Sequence, residues 1–254
     1  MAEAGLELIT PDWPAPAGVR AASTTRQGGV SRAPWDSLNL ALHVGDDPRA
    51  VAQNRARLAA ALDLPAAPRW LEQVHGATVC GEGAPDGPAD AAVSRRAGEI
   101  CAVLTADCLP VLFCHRGGRC VAAAHAGWRG LAAGVLENTV AAMACPPGEI
   151  LAWLGPAIGP AAFVVGGEVR EAFLAAPGAD RGAVAAAFRA AEPDDGGTRW
   201  FADLYALARE RLARAGVGEV HGGGACTWRE RTRFFSYRRD GRTGRMASLI
   251  WLSP

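Results

Sequence analysis

The sequence predicts an α+β fold in a single domain spanning residues 1–254, and three observations support this. A chain of this length in which 50% of the residues are hydrophobic can bury a large core without disulfide bonds. Its apolar runs are short, and they cluster as antiparallel pairs with helices between the pairs. No internal repeat and no long low-complexity linker divides the chain. This clustering favours α+β, with mixed, largely antiparallel sheets, over a regular βαβ alternation.

The N-terminal part of the chain predicts a strand, a turn and a helix. Val19–Thr25 is apolar and rich in Thr, as is typical of a strand, and the glycines in 26–31 allow a turn that could face a ligand. Asp46 and Asp47 form an acidic cap followed by a proline in the first turn, which predicts a helix that ends near Leu62.

The middle of the chain predicts five short strands, which are Arg69–Val74, Ala89–Val93, Ile100–Thr105, Val111–Cys114 and Cys120–Ala124. The last two flank Gly117 and Gly118 and are expected to pair as antiparallel neighbours. His75 follows the first strand, and His125 closes the last one.

The C-terminal half predicts three helices, with strands between and after them. The helices are Trp128–Met143, Gly167–Ala175 and Arg199–Ala215, and the strands are Ile150–Leu154, Val217–Val220, Phe234–Tyr237 and Met246–Leu252. The last two strands are expected to form a hairpin across the polar turn Arg238–Arg245. The segment Pro177–Gly197, rich in Ala, Gly and Asp, is expected to be mobile.

The composition favours small ligands over nucleic acids or membranes. The 26 Lys and Arg residues balance 26 Asp and Glu residues, and no block of like charge is present. The N-terminus lacks the pattern of a signal peptide, and the apolar stretch Ile100–Cys114 is interrupted and too short to span a bilayer. Seven scattered cysteines indicate reduced thiols, so we expect a cytoplasmic protein.

His75, Cys108 and His125 are the candidate metal ligands, because each lies at the end of an apolar strand. Two imidazoles and one thiolate suit zinc, and three protein ligands leave a fourth position for water or substrate. Copper is the rival metal. In other interpretations the three are core residues, Cys108 is a nucleophile with a histidine base, or the site is structural, which would require a fourth protein ligand.

Two further side chains near these ligands are candidates for catalysis and binding. Asp107 could orient a histidine, act as a general base or only solvate the strand end, and we favour a role near the metal. Arg129 begins a predicted helix, where a guanidinium and backbone N–H groups can hold a phosphate, although a surface role is equally consistent with the pattern. Arg245 belongs to a basic turn that either contacts substrate or is a solvated hairpin tip.

The motifs together resemble the laccase-domain family, whose members were once labelled multicopper polyphenol oxidases and are now described as purine nucleoside phosphorylases or peptidoglycan editing factors. The resemblance extends over nearly the whole chain. It is carried by Thr24–Ser31, Leu38–Leu40, His43–Asp46, Trp70–Gly76, Thr105–Pro110, Ala124–Gly130, Leu154–Pro160, Phe234–Asp240 and Thr243–Met246.

The resemblance implies a layered α/β/β/α sandwich, a zinc site at His75, Cys108 and His125, and activity on purine nucleosides. The implied reactions are phosphorolysis of adenosine, inosine and methylthioadenosine, and hydrolytic deamination of adenosine. The alternative is a hydrolase that removes a wrongly incorporated L-Ser from a UDP-MurNAc cell-wall precursor. A copper polyphenol oxidase is disfavoured, because five histidines are too few for several copper centres.

This resemblance leads to a hypothesis for the site. Water activated by the metal attacks C6 of adenosine while Asp107 or a neighbour handles protons. Phosphorolysis requires cations for the phosphate, for which we expect Arg26 and Arg129, and we assign Asn39 and Arg245 to substrate binding as well. The expected partners are purine nucleosides and phosphate, with no nucleic acid or membrane, and the chain is expected to be a monomer or a small homo-oligomer.

Overall fold

The computed structural model describes residues 5–81, 87–191 and 198–254. The strands in these ranges are β1 (Leu8–Ile9), β2 (Val19–Thr24), β3 (Arg69–Trp70), β4 (Val79–Cys80), β5 (Ala91–Ser94), β6 (Ile100–Thr105), β7 (Leu109–His115), β8 (Val121–Ala126), β9 (Ile150–Leu154), β10 (Val164–Gly166), β11 (Phe188–Ala190), β12 (Arg199–Ala202), β13 (Glu219–Gly222) and β14 (Met246–Leu252). The helices are α1 (Pro48–Leu62), α2 (Trp128–Ala132), α3 (Val135–Ala142), α4 (Gly167–Leu174), α5 (Arg181–Ala186), α6 (Leu204–Arg214) and α7 (Tyr237–Asp240).

Two sheets form the centre of the molecule. The smaller has the strand order β1-β2-β14-β6-β3 and the larger β13-β9-β7-β8-β5-β4, while β10, β12 and β11 form a small third sheet. Within the larger sheet, β7 pairs antiparallel with both β8 and β9, and the parallel pairs lie at its two edges. The predicted α+β fold with mixed, largely antiparallel sheets is therefore confirmed.

The chain is layered because successive side chains of a strand point to opposite faces of its sheet. In β6, Cys101 and Val103 pack against the larger sheet, whereas Ala102 and Leu104 pack outward against the segment that includes Leu58 of α1. The outer face of the larger sheet is covered by helices that include α3, α4 and α6. This arrangement agrees with the expected α/β/β/α sandwich.

Capping side chains explain where two of the helices begin. The Asp47 carboxylate accepts a hydrogen bond from the Arg49 backbone N–H at 2.9 Å, which confirms the predicted start of α1. Asp203 caps α6 in the same way, by accepting from the backbone N–H groups of Tyr205 and Ala206. The helix predicted over Arg199–Ala215 is therefore wrong in its first turn, because residues before Asp203 form β12.

The structure differs from the sequence-based expectation at three other places. The helix predicted over Trp128–Met143 is interrupted at Gly134, which has a φ of 92°. The strand predicted over Arg69–Val74 is shortened to β3. The C-terminal hairpin is wrong, because β14 pairs with β2 and β6, and Tyr237 begins α7. Mobility of Pro177–Gly197 stays a prediction; the segment contains α5 and β11, and its residues 192–197 lie outside the described ranges. None of the described helices combines the length and apolar character needed to cross a bilayer.

Candidate metal centre

His75, Cys108 and His125 come from three separate segments and meet where the central strands β7 and β8 of the larger sheet begin and end. Their ligand atoms all lie within 4.8 Å of one another, and among the described residues they form the one such group of three or more His, Cys, Asp or Glu side chains. The two imidazole rings are arranged edge to face, with centroids 4.8 Å apart. The three donors that the sequence predicted as metal ligands are thus brought together.

The pairing of β7 with β8 places two of these residues side by side. Pro110 lies opposite His125 and Leu109 opposite Ala126, so Cys108, one residue before β7, lies next to the end of β8. The turn between β6 and β7 brings the chain to this point through Asp107, whose φ is 89°. His75 lies in the loop after β3 and has a φ of 60°.

Asp90, which the sequence analysis did not single out, connects the two histidines. Its carboxylate is fully buried, and its Oδ1 lies 2.7 Å from Nδ1 of His125. The backbone N–H groups of Val74, His75 and Gly76 all donate to the same carboxylate, at 2.7–3.2 Å. The sequence did contain a feature that could have identified Asp90, namely an acidic residue inside the apolar predicted strand Ala89–Val93. A charge buried in this way requires hydrogen-bonding or charged partners.

The electrostatics of the centre favour a thiolate at Cys108. Burial by itself raises the pKa of this thiol, but the charge of His125 and hydrogen bonds from His125 and His75 lower the pKa to about 6. Burial lowers the pKa of His125, whereas the Cys108 thiolate and Asp90 raise it, to about 9. Hydrogen bonds from His125 and the backbone lower the pKa of Asp90 against the effect of burial.

The donor set fits a borderline-soft divalent ion. Thiolate and imidazole are the ligands that zinc prefers, and copper accepts them as well. Because Nδ1 of His125 is bonded to Asp90, Nε2 is the nitrogen left for a metal. Three protein donors correspond to the pattern of catalytic rather than closed structural zinc sites.

The three donors open onto a cavity of about 530 Å³. Its walls combine apolar and cationic side chains, which suits an anionic ligand with a flat apolar part. The apolar lining includes Leu104, Trp128, Ile158 and Phe163, and the cations are Arg129, Arg238 and Arg245.

Two of the predicted substrate residues, Arg129 and Arg245, line this cavity. The Arg129 guanidinium stacks over Trp128 at 4.5 Å, and no hydrogen bond to it occurs within the described ranges. Arg245 donates from one guanidinium nitrogen to the carbonyls of Thr243 and Gly244. Arg129 therefore has more of its donors available for an anion.

The other two predicted substrate residues, Arg26 and Asn39, do not line the cavity. Arg26 forms an ion pair with Asp36 at 3.1 Å and stacks over Phe235. Asn39 is fully buried and accepts a hydrogen bond from the Arg245 backbone N–H at 3.0 Å. Asn39 thus contacts the backbone of a residue that lines the cavity.

Asp107 lines the cavity, and three hydrogen bonds orient its carboxylate. Oδ1 accepts from the Thr227 hydroxyl at 2.6 Å, and Oδ2 accepts from the Ser236 hydroxyl and the Arg238 backbone N–H. Because Oδ2 accepts two of these bonds and Oδ1 one, Oδ1 retains acceptor capacity.

His43 and Gln73 also line the cavity, although the sequence analysis gave them no role. Burial and the positive charges of Arg245 and Arg55 lower the pKa of His43, which favours a neutral imidazole. The Gln73 side chain exchanges two hydrogen bonds with the backbone of Leu104 and thereby holds the loop that carries His75. Both occur in motifs that carry the family resemblance.

Known proteins are similar to this chain over nearly its full length. The family described as "Multi-copper polyphenol oxidoreductase laccase" matches residues 20–253. A protein named purine nucleoside phosphorylase YfiH from Escherichia coli (strain K12) is 59% identical over 249 residues, which cover 97% of this chain and 99% of that protein. A purine nucleoside phosphorylase from Pseudomonas aeruginosa is 58% identical over 246 residues, 96% of this chain and 98% of that protein.

Solved structures show the same fold. The crystal structure of a Neisseria meningitidis protein superposes with a TM-score of 0.88 at 53% identity, covering 97% of this chain and 99% of that one. YlmD from Geobacillus stearothermophilus superposes with a TM-score of 0.85 at 33% identity, covering 100% of this chain and 98% of that one.

Proposed function

The chain belongs to the family described as multi-copper polyphenol oxidoreductase laccase, and we propose that it is a metal-dependent enzyme that cleaves purine nucleosides with phosphate. The observation that carries this proposal is the cluster of His75, Cys108 and His125 beside a cavity lined by three arginines. The names of the relatives, purine nucleoside phosphorylases at 59% and 58% identity, support the same reaction class.

His75, Cys108 and His125 would hold zinc, with copper as the other candidate, and the ion would supply Lewis-acid chemistry. The residues around it bind and orient the substrates. Arg129, with guanidinium donors that no described residue uses, binds phosphate together with the cationic part of the cavity wall. Phe163 and Ile158 offer apolar surface to the purine. An aromatic base that packs against them is removed from water, which favours binding.

Adenosine, inosine and methylthioadenosine are the substrates that we propose, and the cavity has a volume in the range of small-molecule sites. Hydrolytic deamination of adenosine is a second proposed reaction. For it, Asp107 receives and returns the proton, because the residue lines the cavity and its carboxylate retains acceptor capacity at Oδ1.

The oxidase reaction in the family description is not supported by the described residues. They hold one cluster of three metal donors, whereas a laccase requires several copper centres. The sequence has five histidines, and His115 pairs instead with Glu149 at 2.7 Å. Removal of L-Ser from a cell-wall precursor stays a prediction from the sequence.

The proposed partners are small molecules, namely nucleosides and phosphate, in the cytoplasm. The balanced formal charge supports this proposal, because nucleic-acid-binding proteins usually carry a basic surface. A monomer or a small homo-oligomer is expected.

The test is to incubate the zinc-loaded protein with adenosine, with and without phosphate, and to separate the products by chromatography. Phosphorolysis gives adenine and ribose 1-phosphate only when phosphate is present, whereas deamination gives inosine in both cases, and phosphate converts that inosine further to hypoxanthine. A Cys108→Ala protein purified in parallel controls for contaminating enzymes. Absence of both products from the wild-type protein would contradict the proposed function.

A further inference from the structure

The carboxylate of Asp90 contacts both histidine segments of the centre and does not itself line the cavity. We propose that Asp90 is a positioning residue that fixes the tautomer of His125 and the backbone of His75, and thereby sets metal affinity. This inference rests on the metal centre in the proposed function, but not on the identity of its substrate.

The contact with His125 determines which ring nitrogen faces the metal. An ionised carboxylate only accepts hydrogen bonds, so Nδ1 of His125, 2.7 Å from Oδ1, must carry the proton. In the neutral imidazole, the form that binds a metal, Nε2 is then the unprotonated nitrogen with its lone pair available to the ion. Strand pairing fixes this contact, because the His125 backbone N–H donates to the Asp90 carbonyl at 2.6 Å next to the pair Ala91–Ala124.

The contact with the His75 loop fixes the second imidazole. His75 has a φ of 60°, a left-handed conformation that is unfavourable for residues other than glycine. The N–H groups of Val74, His75 and Gly76 converge on the Asp90 carboxylate, and such successive N–H groups form an anion-binding concavity. One buried charge thus stabilises the conformation that directs His75 toward Cys108.

Asparagine at this position distinguishes a positioning role from simple space filling. It has almost the same volume, but one of its two polar atoms is an NH₂ group. With NH₂ in place of Oδ2, the NH₂ donor would face the N–H donors of Val74 and Gly76, and both of their hydrogen bonds would be lost. With NH₂ in place of Oδ1, it would donate to Nδ1 of His125, shift the proton to Nε2 and so remove the metal-binding lone pair. Either orientation should weaken metal binding.

The chain provides a matched control in a second carboxylate–histidine pair. Glu149 lies 2.7 Å from Nε2 of His115, the same separation as in the Asp90–His125 pair. His115 is the last residue of β7, at the end opposite Cys108, so Glu149→Gln perturbs a carboxylate–histidine pair of the same separation, with a more exposed carboxylate, away from the centre.

The experiment measures Zn²⁺ affinity by competition with a chromophoric chelator for wild type, Asp90→Asn and Glu149→Gln. We expect Asp90→Asn to bind Zn²⁺ about 10–100-fold more weakly, as for other residues that orient metal ligands, and Glu149→Gln to bind like wild type. Unchanged affinity in Asp90→Asn would overturn the role of Asp90.

A second measurement uses the wild-type protein alone and decides the matter even if Asp90→Asn does not fold. Long-range ¹H–¹⁵N spectra of the Zn²⁺-loaded protein report the tautomer of each histidine, and we expect His125 to be protonated at Nδ1. Protonation at Nε2 would overturn the inference. Failure of the wild-type protein to bind Zn²⁺ would overturn the metal centre and this inference together, whereas Zn²⁺ binding without nucleoside turnover would contradict only the proposed reaction.

Discussion

A Cβ atom added to Gly127 would lie 3.0 Å from Sγ of Cys108 and 2.9 Å from Cδ2 of His75. Only a glycine lets the start of α2 approach two of the candidate ligands this closely. Gly127→Ala should therefore displace the ligands and weaken Zn²⁺ binding, and we expect it to lower the free energy of unfolding by about 1–3 kcal/mol through overpacking. Chelator competition and urea denaturation measure the two effects.

Gly167→Ala is the matched control for this change, because a Cβ atom there would have no neighbour within 4 Å. Its Zn²⁺ affinity should equal that of the wild-type protein. If Gly127→Ala also binds Zn²⁺ with wild-type affinity, the close approach of Gly127 to Cys108 and His75 does not shape the centre.

Alkylation of the metal-free protein should be selective for Cys108. Its pKa is lowered to about 6, so the thiolate predominates at pH 7, whereas burial raises the pKa of Cys114 to about 12. The rate of iodoacetamide labelling, followed by mass spectrometry, should fall as the pH drops through about 6, because the thiolate becomes protonated. Added Zn²⁺ should protect the residue. Faster labelling of Cys145 or Cys226 would contradict this prediction.

Arg129→Ala should impair phosphate binding more than nucleoside binding. Loss of charge-assisted hydrogen bonds to an anion costs about 1.5–3 kcal/mol, so we expect the KM for phosphate to rise roughly 10–100-fold. Steady-state kinetics with each substrate varied in turn measure this. Arg116→Ala removes an exposed arginine that pairs with Glu219 away from the cavity, and its KM values should not change. An equal rise in the KM for phosphate and the KM for the nucleoside in Arg129→Ala would argue against a phosphate site at this residue.

Asp107→Asn should slow adenosine deamination by about 10²–10⁴-fold if the carboxylate carries the proton. Asparagine accepts the positive φ at this position, so the turn should persist. Thr227→Val is the control, because it removes the hydrogen bond to Oδ1 but keeps the carboxylate. Both variants should lose about 1–3 kcal/mol of stability, but only Asp107→Asn should lose deamination by this factor. Retained deamination would assign Asp107 to loop positioning alone.

The sequence predicted the features that depend on local pattern. The cap before α1 and the β7–β8 pair follow from residues close together in the chain. The three candidate ligands lie far apart in the chain, but each was recognised at the end of its own apolar strand by the chemistry of thiolate and imidazole. The layered sandwich followed from the family resemblance rather than from periodicity.

Long-range contacts account for what the sequence did not predict. Pairing of β14 with β2 joins the two ends of the chain, so a local hairpin was the more obvious expectation. Asp90 could not be placed beside His125 without knowledge of the β5–β8 register. Arg26 was expected at the substrate, but Asp36 and Phe235 bind its guanidinium away from the cavity.

The most direct test of the account compares the wild-type protein with Cys108→Ala in one experiment that measures bound zinc and phosphate-dependent release of adenine from adenosine. The substitution removes one of three donors and leaves two imidazoles, which should not retain the ion. We predict loss of both the zinc and the adenine release, with the fold intact by circular dichroism. A Cys108→Ala protein that keeps full phosphorolysis would show that His75, Cys108 and His125 are not the catalytic centre.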